Sequence, residues 1–154
     1  MLNGFHSILD SKSGYDTLPL RLALGVIFFA HGSQKLFGFF GGYGLEGTAG
    51  WMDSIGLSPG LPLTILAGSA EFFGGAALLA GAFVRPMALI LAFTMAVAIA
   101  AAHLANGFFM SNNGYEFGLA LLAGSLALAL RGAGSLSADR WLSEQFTLRP
   151  AFTR

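Results

Sequence analysis

Residues 61–83 read LPLTILAGSAEFFGGAALLAGAF, and Glu71 is the one charged residue among them. Crossing the hydrocarbon core of a bilayer takes about 20 mostly apolar residues. This stretch is long enough, and Pro62 stands near its start, where a missing N–H costs little. A barrel strand would be about ten residues of alternating polarity, so a helix is the reading. Working outward, three further stretches have similar character: residues 19–40, 86–109 and 114–130. Pro19 and Pro86 open the first and second of these. The expected fold is therefore all-α, an integral-membrane antiparallel four-helix bundle spanning residues 18–131.

Composition supports a membrane protein. Of the 154 residues, 55% are hydrophobic and only 10% charged, against about 25% charge in a soluble domain. With fifteen Phe and 22 Gly, there is too little polar surface to cover a soluble globule. The same numbers exclude disorder, which needs low hydrophobicity and high charge. Eight basic and eight acidic residues give a net charge of zero, so there is no electrostatic footprint for nucleic acid. The absence of cysteine excludes disulfides, Cys-ligated zinc and iron–sulfur clusters within the chain.

Charge also predicts orientation. Lys12, Arg21, Arg85, Arg131, Arg140, Arg149 and Arg154 flank the stretches on one side, and the connections 41–60 and 110–113 carry no Lys or Arg. By the positive-inside rule both termini are then cytoplasmic. Residues 1–17 hold Asn3, His6, Asp10, Lys12 and Asp16 and lack the apolar run of a secretory signal. They read as a cytoplasmic N-terminal segment. Residues 132–154 read as a cytoplasmic tail with a short interfacial helix. There Ser137 is the N-cap, Asp139 lies in the first turn, and Trp141, Leu142 and Phe146 rest on the membrane surface. The glycine-rich outer loop 41–60 is expected to hold a short interfacial helix over 48–55, with Trp51, Met52 and Ile55 on one face. Gly38 and Gly42, although spaced as GxxxG, fall at a span end and read as a turn.

Several polar residues lie where lipid should be. A charge at a helix centre costs roughly 2.5–3.5 kcal/mol on translocon scales, yet the first span holds His31, Gln34 and Lys35, the second Glu71, the third His103 and the fourth Glu116. At about 1.5 Å of rise per residue, Lys35 lies about 5 Å and His31 about 10 Å below the outer end of their helix. The same arithmetic puts Glu71 about 15 Å deep, His103 about 8 Å and Glu116 about 3 Å. All six belong to the outer half of the bilayer, which predicts one polar pocket opening outward. Small residues on the same faces point the group into the bundle: Gly68, Gly74 and Gly75 beside Glu71, Ala96, Ala100 and Gly107 beside His103, and Ala120, Ala123 and Ala127 beside Glu116.

Each residue also has a plain structural reading. Lys35 can snorkel to headgroups, Glu71 can tie helices together, the histidines can be satisfied core groups, and Glu116 can complement a helix dipole. Haem ligation by His31 and His103 is disfavoured because Lys35 and Glu71 crowd the same space. A zinc site of two histidines with Glu71 has no supporting spacing, so no metal is expected.

The chain resembles the DoxX family of small bacterial four-helix membrane proteins over about residues 18–139. The resemblance rests on R-x-x-L-G at Arg21–Gly25, H-G-S-Q-K-L at His31–Leu36 and G-F-F-G-G at Gly38–Gly42. It continues through E-F-F-G-G-A-A-L-L-A-G at Glu71–Gly81, Arg85, His103, G-F-F at Gly107–Phe109 and Glu116, and closes with G-A-G-S-L-S-A-D ending at Asp139. It implies residence in the bacterial inner (cytoplasmic) membrane and a link to redox complexes, among them the membrane subunit of thiosulfate:quinone oxidoreductases. Relatives that relay thiols use cysteine pairs, which this chain lacks. The expected function is a quinone-associated redox component working with a partner oxidoreductase. His31, Gln34, Lys35 and His103 would donate to the quinone carbonyls, Glu71 and Glu116 would relay protons, and Phe28, Phe37, Phe72 and Phe73 would line a slot for the tail. The rival expectation is a non-catalytic membrane scaffold or assembly factor, as a homo-oligomer, and a third a small transporter or lipid-handling protein.

The charge asymmetry is directly testable. A cytoplasm-active reporter fused after Arg154 is expected to give signal and a periplasm-active one none; the reverse would invert every depth assigned above.

Overall fold

A computed structural model describes residues 14–147. Lys12, Arg149 and Arg154, with the outer parts of the 1–17 and 132–154 segments, lie outside the described residues, as does the side chain of Phe146. Among the described residues all regular structure is helical. The helices are α1 (Leu18–Phe37), α2 (Gly44–Ser54), α3 (Gly60–Ala80), α4 (Val84–Ala98), α5 (Glu116–Arg131) and α6 (Ala138–Thr147). Beyond Ala98, α4 continues through a π-turn, Ile99–His103, and a 3-10 turn, Leu104–Asn106.

Glycines end the first two long helices, the first at the turn the sequence predicts and the second two residues short of the expected end at Phe83. Gly38 ends α1 at φ 72°, in the left-handed region where glycine is at ease, and its N–H reaches Gln34 O at 3.2 Å. Gly81 ends α3 in the same way at φ 69°. The outer loop forms α2, longer than the expected 48–55. Its Met52 is buried while Trp51 is exposed, so the two do not share one face.

Two helical runs are long and apolar enough to cross a membrane: Gly60–Ala80 and Val84–Asn106. A third passes only as the pair Leu18–Phe37 and Phe39–Ser54, bent by 98° at the break. His31, Gln34 and Lys35 dilute the hydropathy of α1. The fourth expected span, α5, has 16 residues, a reach of about 24 Å against about 30 Å of hydrocarbon.

Packing runs from α1 to α3, from α3 to α4, from α4 to α5, and more lightly from α5 back to α1. The α1–α3 contact is the most intimate, and glycine makes it so. A Cβ on Gly32 would strike the backbone of Phe72 and lie 2.8 Å from Gly68 O. One on Gly75 would strike the backbone of Phe29 and lie 2.8 Å from Gly25 O. Backbone therefore rests on backbone, the approach that small residues permit in membrane helices.

The apolar core gathers toward the end that carries Arg21, Arg85 and Asp139, here called the arginine end; the opposite one, with the 38–59 and 107–115 connections, is the loop end. Phe28, Leu78, Leu91 and Leu128 are fully buried in that core. Side chains close the arginine end across long stretches of sequence. Arg21 donates from Nη1 to Ala133 O and from Nη2 to Leu136 O, each at 2.7 Å. Arg85 Nη1 donates to Ala129 O at 2.9 Å and Leu130 O at 2.7 Å, satisfying carbonyls that the end of α5 leaves open. Arg131 pairs with Asp16.

Ser137 caps α6 as expected, with Arg140 N donating to its Oγ at 3.2 Å. Asp139 occupies the first turn of α6, but its carboxylate serves α4 instead. It accepts from Phe83 N at 2.6 Å and Val84 N at 2.9 Å and is only 1% exposed. Burial pushes its carboxyl above the usual range, against the N–H bonds from Val84 and Phe83 and the nearby Arg21 and Arg85.

Asp139→Ala leaves two N–H groups at the start of α4 without their acceptor and is expected to cost about 2 kcal/mol. The check is thermal unfolding in detergent by circular dichroism; Asp139→Asn, which keeps an acceptor oxygen, should lose less.

Candidate functional site

Helical phase decides which polar residues meet. On α1, Leu24, Phe28, His31 and Lys35 follow one another at i, i+4, i+7 and i+11, and so share a side. Leu24 and Phe28 are core residues, so His31 and Lys35 continue the inward side of α1 toward the loop end. On α3, Thr64, Glu71 and Leu78 recur every seven residues, and all three are buried. On α5, Phe117, Leu121 and Leu128 share a side; Leu121 and Leu128 are core, whereas Phe117 is 38% exposed. His31 is exposed too, and its ring lies 6.4 Å from that of Phe117. Phe28 and Leu121 are thus the last core residues on these sides, and beyond them His31 and Phe117 are exposed and Lys35 is partly so.

The central contact is Lys35 Nζ to Glu71 Oε2 at 2.5 Å. Glu71 is 3% exposed and Lys35 23%, so the carboxylate is enclosed while the ammonium stays within reach. Glycines make room for the pair. A Cβ on Gly68 would lie 2.8 Å from Leu36 Cδ2 and 3.4 Å from Lys35 Cβ, and one on Gly74 would lie 3.0 Å from Leu91. Beside the pair runs a set of rings. Phe72 stacks on Phe29 at 4.7 Å and meets Phe37 and Phe73 edge-on at 5.3 and 5.2 Å. Phe37 and Phe73 are exposed.

The other three expected residues bond elsewhere. Gln34 Nε2 donates to Phe40 O at 3.3 Å, bracing the turn after α1. His103 Nδ1 lies 2.9 Å from Asn113 O, which also accepts from Asn106 Nδ2 at 3.2 Å. Glu116 Oε1 accepts from Met110 N at 2.6 Å. His103 and Glu116 therefore pin the 107–115 connection. Their small-residue faces also differ from the expectation: Ala96, Ala100, Ala120 and Ala123 are exposed, and α5 buries Leu121, Ser125 and Leu128 instead. On α4 the buried side is Ala88, Leu91, Ala92 and Met95, and the π-turn at Ile99–His103 then shifts His103 out of the 3.6-residue register that relates it to Ala96. For Glu71 the small-residue reading holds, since Gly68, Gly74 and Gly75 are buried beside it.

Arg21, Arg85 and Asp139 were legible only as orientation markers and motif letters. Their partners are 44 to 115 residues away, and no spacing rule reaches that far.

A small all-helical membrane protein with an ion pair buried between two of its helices is the class these features define. The chain belongs to the DoxX family, whose model matches residues 17–104, the stretch that holds Lys35, Glu71 and His103. It is 37% identical over 123 residues to the Bacillus subtilis (strain 168) protein named "Putative oxidoreductase CatD", covering 80% of this chain and 84% of that one. It is 34% identical over 137 residues to "Inner membrane protein YqjF" of Escherichia coli (strain K12), covering 84% of this chain and 93% of that one. No solved structure matches it.

The ion pair predicts a non-additive double-mutant cycle. Lys35→Met leaves Glu71 buried and alone, a loss of about 3 kcal/mol. Glu71→Gln costs less, because Lys35 can turn to solvent. The double variant should recover part of the combined loss in detergent thermal melts, and strictly additive losses would mean the two groups do not interact.

Proposed function

We propose that α1, α3, α4 and α5 cross the bacterial cytoplasmic membrane as an antiparallel bundle, with the 1–17 and 132–154 segments cytoplasmic, and that the protein is a quinone-associated redox component working with a partner oxidoreductase. Orientation rests on charge: among the described residues every Arg lies toward the arginine end, which the positive-inside rule assigns to the cytoplasm. The short α5 is accommodated by local thinning of the bilayer.

The observation that carries the redox reading is the Lys35–Glu71 pair, its carboxylate enclosed and its ammonium partly exposed beside exposed rings, which we read as the mouth of an opening. Here the ammonium remains reachable. A quinone carbonyl is an acceptor that needs a donor, and Lys35 and His31 supply two. The rings of Phe37, Phe72 and Phe73 suit an isoprenoid tail. Reduction of a quinone to a quinol consumes two electrons and two protons. The partner oxidoreductase supplies the electrons, and His31 with the Lys35–Glu71 pair passes protons from the outer face. The relative named as an oxidoreductase points the same way.

The scaffold reading draws on a specific observation as well: Gln34, His103 and Glu116 spend polar atoms on backbone groups of the loop end. They leave three of the six expected residues, His31, Lys35 and Glu71, to face a ligand.

A ligand bound to the folded state stabilises it by about 2.7 kcal/mol at a hundredfold excess over Kd. Short-tailed ubiquinone or menaquinone analogues are expected to raise the melting temperature of the wild type. Lys35→Ala and His31→Ala should abolish the shift, and Thr94→Val, on the outward side of α4, should keep it. A wild type that no analogue shifts would favour the scaffold.

A further inference from the structure

A second polar concavity lies at the arginine end, remote from Lys35. It is a groove of about 480 Å³ between the end of α3, the 135–138 connection and α6. Its polar lining is Arg21, Ser135, Ser137, Arg140 and Glu144, and its apolar rim includes Leu79, Leu136 and Trp141.

The charge in this groove is placed for an anion. Arg21 is only 3% exposed; both Nη atoms are bonded, but its Nε has no hydrogen-bond partner. That Nε is enclosed, but each Nη gives one N–H to a backbone carbonyl and carries a second, and this permanently charged group lines the groove, where an oxyanion would complement it. Arg140 also lines the groove, its Nη1 donating to Ser135 Oγ at 3.2 Å and its Nε to Glu144 Oε1 at 2.9 Å. Glu144 is half-exposed, so it can swing away when an oxyanion takes its place beside Arg140.

The rim identifies the source of the anion. Leu136 and Trp141 are exposed next to the groove, and a Trp beside basic side chains at a span end is what a headgroup level looks like. Leu79 packs over Gly25 of α1, and the exposed Leu22 and Val26 carry the apolar surface onward from there. A polar head in the groove would thus have a continuous apolar path for its chains.

We propose that this groove binds the phosphate of an anionic phospholipid, with Arg21, Arg140 and the Ser135 hydroxyl as donors and Trp141 against the glycerol region. Basic pockets beside membrane helices at the cytoplasmic face take such headgroups. The site is independent of the quinone reading, because it shares no residue with the Lys35–Glu71 opening.

The test uses the full chain purified in detergent, with lipid retention read by native mass spectrometry and stability by thermal melts. Phosphatidylglycerol is expected to be retained and to raise the melting temperature, and phosphatidylcholine is not. Arg140→Gln should weaken phosphatidylglycerol binding about tenfold, the loss of one charge-assisted contact. Glu144→Gln should strengthen it, since it removes the competing carboxylate. A purely structural role for the Arg140–Glu144 pair would move both variants in the same direction. Arg21 is left intact because it also holds the fold together. Equal effects of the two lipids, or unchanged binding in Arg140→Gln, would overturn the proposal. Stabilisation by inorganic phosphate alone to the same extent would overturn the lipid assignment in favour of a soluble phosphate.

Discussion

The contact of α1 with α3 is a contact of backbones, and the rest of the structure depends on it. Gly32 lies on Phe72 and Gly68, and Gly75 lies on Phe29 and Gly25, with no room for a Cβ at either crossing point. Two helices so close leave no thickness of aliphatic side chain between them. Lys35 can then reach Glu71 from the next turn of α1, and 2.5 Å separates the charges. In a low-dielectric setting that proximity decides whether the charges are tolerable. Desolvation of an isolated carboxylate is prohibitive, and a partner at hydrogen-bond distance offsets much of it. The glycines set the separation, and the ion pair follows.

The two ends of the molecule are built on different principles. At the arginine end, guanidinium and carboxylate groups bond to backbone far away in sequence: Arg21 to Leu136, Arg85 to Ala129, Asp139 to Val84. The bonds to Ala129 and Val84 use helix termini that would otherwise have unsatisfied groups, and the bond to Leu136 ties down the connection between α5 and α6. Among the described residues the loop end has one bond between long helices, Lys35 to Glu71, and is otherwise shaped by short-range bonds, Gln34 to Phe40, His103 to Asn113 and Glu116 to Met110. These short-range bonds shape a connection without fastening one helix to another. The apolar core cluster correspondingly gathers toward the arginine end.

Within that frame the polar residues divide their labour. His31, Lys35 and Glu71 continue the inward sides of α1 and α3 beyond the last apolar layer. Gln34, His103 and Glu116 lie at similar depth and shape the connections instead. Depth alone does not make a site. Phase around each helix is the second coordinate, and only residues that satisfy both can meet.

Much of this was legible before any tertiary contact was known. The apolar stretches, the turn at Gly38, the N-cap at Ser137 and the buried glycine face around Glu71 follow from hydropathy, backbone freedom and a regular 3.6-residue period, all of which are local. The motifs at His31–Leu36 and Glu71–Gly81 also carried the family. What is local cannot fix which distant groups meet. The pairing of Lys35 with Glu71 needed the glycine-governed crossing of α1 and α3. The removal of His103 from the site needed a π-turn that breaks the period, and the small residues flanking His103 and Glu116 proved to face outward. Asp139 shows the limit most plainly. Its first-turn position in α6 was readable from the residues around it, but its carboxylate caps α4, 55 residues away in sequence, because only packing brings the unsatisfied N–H groups of one helix to the side chain of another.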